Sequence, residues 1–121
     1  MPTLNKVIAF APTTDAGRAP DFYQRILGLT LVEQNGFALV FDVGGVMLRV
    51  TIVGELTPRP FTVLGWVVGD IEASIDALVD RGVVFLDYGM GQDRRKIWTA
   101  PSGGRIAWFQ DPDGNVLSLT G

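Results

Sequence analysis

Phe109-Gln110-Asp111-Pro112-Asp113-Gly114-Asn115-Val116-Leu117-Ser118-Leu119 writes a strand, a tight turn and a returning strand in one stretch. Pro112 presets φ for a turn and Gly114 tolerates a left-handed backbone. Asp and Asn side chains accept hydrogen bonds from backbone N–H groups a residue or two away. Asp111 and Asp113 are therefore read as turn residues rather than as acid–base groups. Strands are expected on both sides of the turn, over 105–110 and 115–120.

Working back from this hairpin, the second half of the chain opens with an apolar strand over 61–68. A helix follows, with Asp70 as its N-cap and Ile71, Ile75, Leu78 and Val79 on one side. Glu72 near its start and Arg81 near its end both suit the helix dipole, and Gly82 stops it. Further strands are expected over 83–87 and 94–99. The first half runs in the same order. An extended apolar segment over 4–11 leads to Thr13-Thr14-Asp15, which supplies a turn and a helix cap. Pro20 fits the first turn of a short helix whose apolar face is Phe22, Tyr23, Ile26 and Leu27, ending at Gly28. Strands over 29–33, 37–43 and 46–53 are then separated by hairpin turns at Asn35-Gly36 and Gly44-Gly45.

Thr57-Pro58-Arg59-Pro60 interrupts any regular element, because proline removes donors and extends its neighbours. The expected organisation is a single domain over 1–121, with module one at 1–56, a linker at 57–60 and module two at 61–121. Duplication explains the repeated order of elements. A generic α+β domain with a coincidental repeat is the other reading.

Composition bounds the function. At 121 residues and 47% hydrophobic content, the chain suffices for one well-cored domain. A net charge of −3 speaks against nucleic acid as a partner, since phosphate binding needs clustered Lys and Arg. The absence of cysteine removes disulfides and thiolate metal sites, and there is no histidine either. Apolar runs fall far short of the roughly 18–20 residues that span a bilayer, and the start has no signal-peptide pattern. No membrane association and a cytoplasmic location are expected.

Three segments resemble the vicinal oxygen chelate superfamily, the glyoxalase/bleomycin resistance/dioxygenase group. They are Asp15 followed by Asp21-Phe22-Tyr23 and Ile26-Leu27-Gly28-Leu29; Val68-Gly69-Asp70-Ile71; and Asp111-Pro112-Asp113-Gly114-Asn115. The resemblance implies an α+β fold of two paired βαβββ modules whose curved mixed sheets enclose a cavity. It also implies a homodimer. In that family a metal, when present, is held by His or Glu side chains from the first and last strands of each module. The corresponding positions here are Ile8 and Val63, seven residues before Asp15 and Asp70, together with Arg49 and Ser118 on the last strands. Two aliphatic groups, a cation and a hydroxyl cannot make that site. No metal and no cofactor are expected, and a metal-dependent glyoxalase, ring-cleaving dioxygenase or fosfomycin-type transferase is not the expected activity.

The candidate ligand-binding residues are Ile8, Phe10, Met47, Arg49, Val63, Trp98, Trp108 and Ser118. The strand period of two adds Thr51, Gly65 and Val116 to the same lining. Arg49 has two readings: an anchor for a ligand carboxylate or phosphate, or a residue paired with Asp42 or Glu55 or turned to solvent. Trp108 is either a ligand wall or a core aromatic. Tyr88 and Trp98 flank the glycine-containing loop from Gly89 and suit a lid over a planar ligand, the alternative being scattered surface aromatics. Ser118 offers one hydroxyl or is simply tolerated in its strand. Arg94-Arg95-Lys96 is read as a solvated strand end. No catalytic residue is assigned, because Glu33, Asp42, Glu55 and Asp87 lack partners of catalytic spacing. The expected function is metal-independent binding of a planar or acidic organic ligand in an apolar cavity. The alternatives are a metal-independent lyase or isomerase and a non-catalytic interaction or regulatory subunit.

Overall fold

The structure, a computed structural model, describes residues 2–121. The chain divides into two compact units, Met1–Thr57 and Pro58–Gly121, each built on one four-stranded mixed sheet.

In the first unit the strands are β1 (Ile8–Thr13), β2 (Thr30–Gln34), β3 (Ala38–Val43) and β4 (Val46–Ile52), in the order β1-β4-β3-β2. Short turns make β2, β3 and β4 antiparallel, whereas the long crossover after β1 lets it lie parallel to β4. Gly44 and Gly45 both take positive φ, 57° and 87°, as a two-residue hairpin requires. The Asn35-Gly36 turn is closed differently. Asn35 Oδ1 accepts from the N–H groups of Phe37 and Ala38 at 2.8 and 3.1 Å, so an amide side chain does the work of a left-handed glycine.

The expected α-helix of this unit is instead a π-helical turn, Asp21–Ile26. Leu27 N–H donates to the Phe22 carbonyl, five residues back, at 2.9 Å. The wider turn buries Phe22 and Tyr23 and leaves Ile26 and Leu27 half-buried. Tyr23 meets the Phe41 ring at 5.9 Å, which marks the covered face of the sheet. Alternate residues Leu39, Phe41, Leu48 and Val50 make the core there. Upstream, Asp15 Oδ1 accepts from Gly17 and Arg18 N–H at 2.9 and 3.1 Å, the turn expected of Thr13-Thr14-Asp15.

In the second unit β5 (Thr62–Val67), β6 (Trp98–Thr99), β7 (Arg105–Gln110) and β8 (Val116–Thr120) take the order β5-β8-β7-β6, with β5 parallel to β8. Helix α1 (Ile71–Asp80) starts at Asp70, whose carboxylate accepts from Ala73 N–H at 3.0 Å. It buries Ile71, Ile75 and Leu78, but Val79 is exposed, contrary to expectation. Val79 lies about 80° around the axis from Ile71 at 100° per residue, on the edge of the apolar stripe. The core gathers Ala107, Phe109, Leu117 and Leu119 from the sheet, and Phe85 packs on Phe109 at 5.3 Å.

The strand expected over 83–87 does not form, and of 94–99 only Trp98–Thr99 is a strand. The Gln92 side chain explains much of this. Its amide donates to the carbonyls of Leu86 and Lys96 at 2.9 and 2.8 Å and accepts from Tyr88 N–H at 2.6 Å, satisfying groups that a ladder would use. Leu86 N–H alone reaches β7, at the Trp108 carbonyl. Nor is Arg94-Arg95-Lys96 a solvated strand end. It sits in a turn, with Arg95 forked onto Asp76 through two 2.9 Å bonds and Lys96 paired with Asp87 at 3.2 Å.

The closing turn matches its reading in detail. Asp111 and Asn115 are buried, and the Asp111 carboxylate accepts from Asp113 N–H, Asn115 N–H and Asn115 Nδ2 at 3.0, 2.9 and 2.7 Å. Gly114 has φ 87°, and a Cβ there would meet Pro58 at 3.0 Å. Among the described residues no helix is long and apolar enough to cross a membrane.

Candidate ligand-binding faces

The sheet of the first unit brings four of the expected residues together. Register sets Ile8 opposite Met47 and Phe10 opposite Arg49 across the parallel β1–β4 pair, with Val40 of β3 on the other side of Arg49. Since side chains alternate, all of these, with Thr51 and Ala38, project from the face away from Tyr23. Phe10 is 54% exposed. An open hollow of about 450 Å³ is lined here by Phe10, Asn35, Phe37, Ala38, Arg49 and Thr51. A second, of about 330 Å³, lies by Val32, Val40, Asp42 and Met47. Phe37 was not among the expected site residues; its place just after the Asn35 turn is the signal that puts it at the rim.

Arg49 is exposed, as the reading that turns it to solvent expects, and it forms no ion pair among the described residues. Neither Asp42 nor Glu55 meets it, and its side-chain partner is Met47 Sδ, 3.9 Å from Nη2. Asp42 instead accepts from Gly45 N–H at 3.0 Å, and Glu33 from Asn35 Nδ2 at 2.9 Å. The Thr51 side chain, two residues along β4, makes no hydrogen bond among the described residues.

In the second unit Ser118 stands opposite Gly65 on β5 and Trp108 on β7. Ser118 is buried, and its hydroxyl has no hydrogen-bond partner among the described residues. A Cβ at Gly65 would overlap Ser118 Oγ, so the glycine is what lets the two strands pair at this point. Trp108 Nε1 donates to Thr62 Oγ1 at 3.1 Å, a contact between residues 46 apart in the chain. Tyr88 meets Trp108 edge-on at 5.3 Å and Trp98 lies 6.3 Å from it. The three rings form one aromatic wall, not scattered surface aromatics. Val63 is set apart: pairing jumps from Thr62–Val116 to Leu64–Leu117, a bulge that leaves Val63 without a cross-strand partner.

The strongly paired charges lie elsewhere. The Arg95 hydrogen bond holds the Asp76 carboxyl below the usual range, and Gly89 N–H with Lys96 does the same for Asp87. Arg105 pairs with Glu72 at 2.7 Å. These contacts brace α1 and the loop ending at Trp98. Among the described residues no three His, Cys, Asp or Glu side chains gather to hold a metal. Within each unit the corresponding positions, Ile8 and Arg49 in the first and Val63 and Ser118 in the second, carry no carboxylate or imidazole, and so do not fit the divalent ion that the family resemblance implies.

The sequence model of the Glyoxalase/Bleomycin resistance protein/Dioxygenase superfamily matches residues 4–119. Among solved structures, the chain is similar to a superfamily member from Sphaerobacter thermophilus, at 24% identity and TM-score 0.73, covering 96% of this chain and 97% of that one. A glyoxalase family protein from Enterococcus faecalis aligns at 21% identity and TM-score 0.74, with 98% and 97% covered. A glyoxalase/bleomycin resistance protein/dioxygenase from Alicyclobacillus acidocaldarius aligns at 19% and 0.73, with 96% and 89% covered. These likenesses are of fold. No curated protein matches the chain.

Proposed function

The chain belongs to the Glyoxalase/Bleomycin resistance protein/Dioxygenase superfamily, and from that premise we propose that it is a metal-independent binding protein for planar or acidic organic molecules. Ile8, Phe10, Met47, Arg49, Val63, Trp98, Trp108 and Ser118 are the residues proposed to touch ligand. The observation that carries this reading is the Tyr88–Trp98–Trp108 wall beside Ser118, an aromatic surface and a free hydroxyl where relatives commonly carry an acidic metal ligand. Each 100 Å² of apolar ligand surface covered contributes roughly 2.5 kcal/mol, and an edge-on or offset ring pair adds about 0.5–1.5 kcal/mol. Sequestration needs no more than that.

A metal-independent lyase or isomerase draws support from the Ser118 hydroxyl, but its cross-strand neighbours, Gly65 and Trp108, include no base. We further read the protein as a homodimer, because Val67 and Val84 are 88% and 79% exposed, apolar surface that a second copy would cover. Light scattering at micromolar concentration checks the mass. A thermal-shift screen of planar aromatic and acidic metabolites tests the main proposal: several should raise the melting temperature, and Trp108→Ala should abolish the shift. A screen without stabilisers, or hits indifferent to Trp108→Ala and Arg49→Ala alike, would refute it.

A further inference from the structure

We propose that the hollow of the first unit selects organic monocarboxylates, the carboxylate seated on the Arg49 guanidinium and the apolar body lying on Phe10 and Phe37. The inference rests on the small-molecule binding reading and goes beyond it by naming the ligand class and its anchor. Arg49 is the one fixed charge among the residues lining the hollow. It is also unpaired, its side chain meeting only Met47 Sδ among the described residues. A guanidinium is permanently charged, and its planar fork matches the two oxygens of a carboxylate. The Thr51 hydroxyl, about 7 Å along the same face of β4, supplies a further donor. Phe10 sits directly across the ladder from Arg49, so a ligand held at the guanidinium meets an aromatic ring at once.

The surrounding charge limits the class to monoanions. Glu33 pairs with Val40, which pairs with Arg49, so one carboxylate stands two strand spacings away on the same face. That is about 10 Å, near the Debye length in 0.1 M salt, so the repulsion is only partly screened. Asp42 lies on that face as well, opposite Met47. Both acids are engaged by neighbours, Asn35 and the Gly45 amide, and neither neutralises Arg49. A single carboxylate is matched by one cation; a phosphate dianion brings a second charge that the two acids oppose.

The test uses three probes of one shape in calorimetric titrations of the full chain: 2-naphthoate, 2-naphthamide and 2-naphthylmethylamine. The naphthoate should bind about threefold to fivefold tighter than the amide, as expected of an ion pair at an exposed cation, and the amine weakest of all. Arg49→Gln should erase the preference so that acid and amide bind alike, whereas Phe10→Ala should weaken both. Circular dichroism confirms folding of each variant. Equal binding of acid and amide to the unaltered protein, or a preference that survives Arg49→Gln, overturns the carboxylate anchor while leaving small-molecule binding intact. Failure of all three probes to bind also overturns it, and the broader reading then stands or falls on the compound screen.

Discussion

Substituting Gly65 by alanine should have opposite effects on stability depending on what occupies position 118. The added Cβ would overlap Ser118 Oγ, while its next nearest neighbours, the Ser118 carbonyl oxygen and Cβ, lie at 3.4 and 3.7 Å, ordinary contact distances. The clash therefore resides almost wholly in one hydroxyl. Ser118 is buried and central in β8, so relief requires its hydroxyl to turn to another rotamer in a packed site or the strands to shift, worth about 1–3 kcal/mol. Against this, alanine in a strand is favoured over glycine by roughly 0.5–1 kcal/mol. Gly65→Ala alone should thus destabilise by up to about 2 kcal/mol. In the Ser118→Ala background the same change should stabilise by roughly 0.5–1 kcal/mol. Urea unfolding of the four proteins gives the coupling energy, expected at about 1–3 kcal/mol. A coupling below about 0.5 kcal/mol, the usual additivity error, would mean that Gly65 and Ser118 do not face each other and that the register at the centre of the second sheet is wrong.

Two further outcomes follow from the second unit. Asp111→Ala should cost about 2–4 kcal/mol in urea unfolding, because it strips three hydrogen bonds from a buried turn. Acid titration of stability should expose the Asp76 and Asp87 ion pairs. Both carboxyls are held below 3.8 in the folded protein, so their stabilisation is complete above that value and disappears as pH falls below it. The melting temperature of Arg95→Gln should accordingly fall less steeply below pH 4 than that of the unaltered protein; parallel curves would contradict the pairing.

The parts of the fold legible in the sequence are those whose causes are local. Asp111, Gly114 and Asn115 close their turn through bonds within four residues, and Asp70 caps α1 through Ala73. Parity along β1 and β4 was enough to group Ile8 with Phe10 and Met47 with Arg49. What escaped depends on distant partners or on backbone detail. Phe22, Tyr23, Ile26 and Leu27 suit an α-helical or a π-helical turn equally, and only the Leu27–Phe22 bond distinguishes them. Val83 to Asp87 has strand composition, yet Gln92 takes up the groups a ladder would use. Arg95 finds Asp76 nineteen residues away, invisible to any window read along the chain. Val63 stands at the expected offset from Asp70, but a bulge between Thr62 and Leu64 breaks the alternation that would place its side chain. The aromatic wall joins a loop residue, Tyr88, to two strands, so its members could be nominated singly but not assembled.

If these sheet faces bind organic ligands without a divalent ion, ligand affinity must be indifferent to metal. The direct measurement is calorimetric titration of 2-naphthoate, or of the best compound from the thermal-shift screen, into protein dialysed against EDTA. The titration is then repeated after adding equimolar zinc, nickel or manganese. The expected result is saturable binding in the chelated protein with a dissociation constant unchanged by any of the metals. Binding that appears only once a metal is restored would contradict the proposal of metal-independent binding.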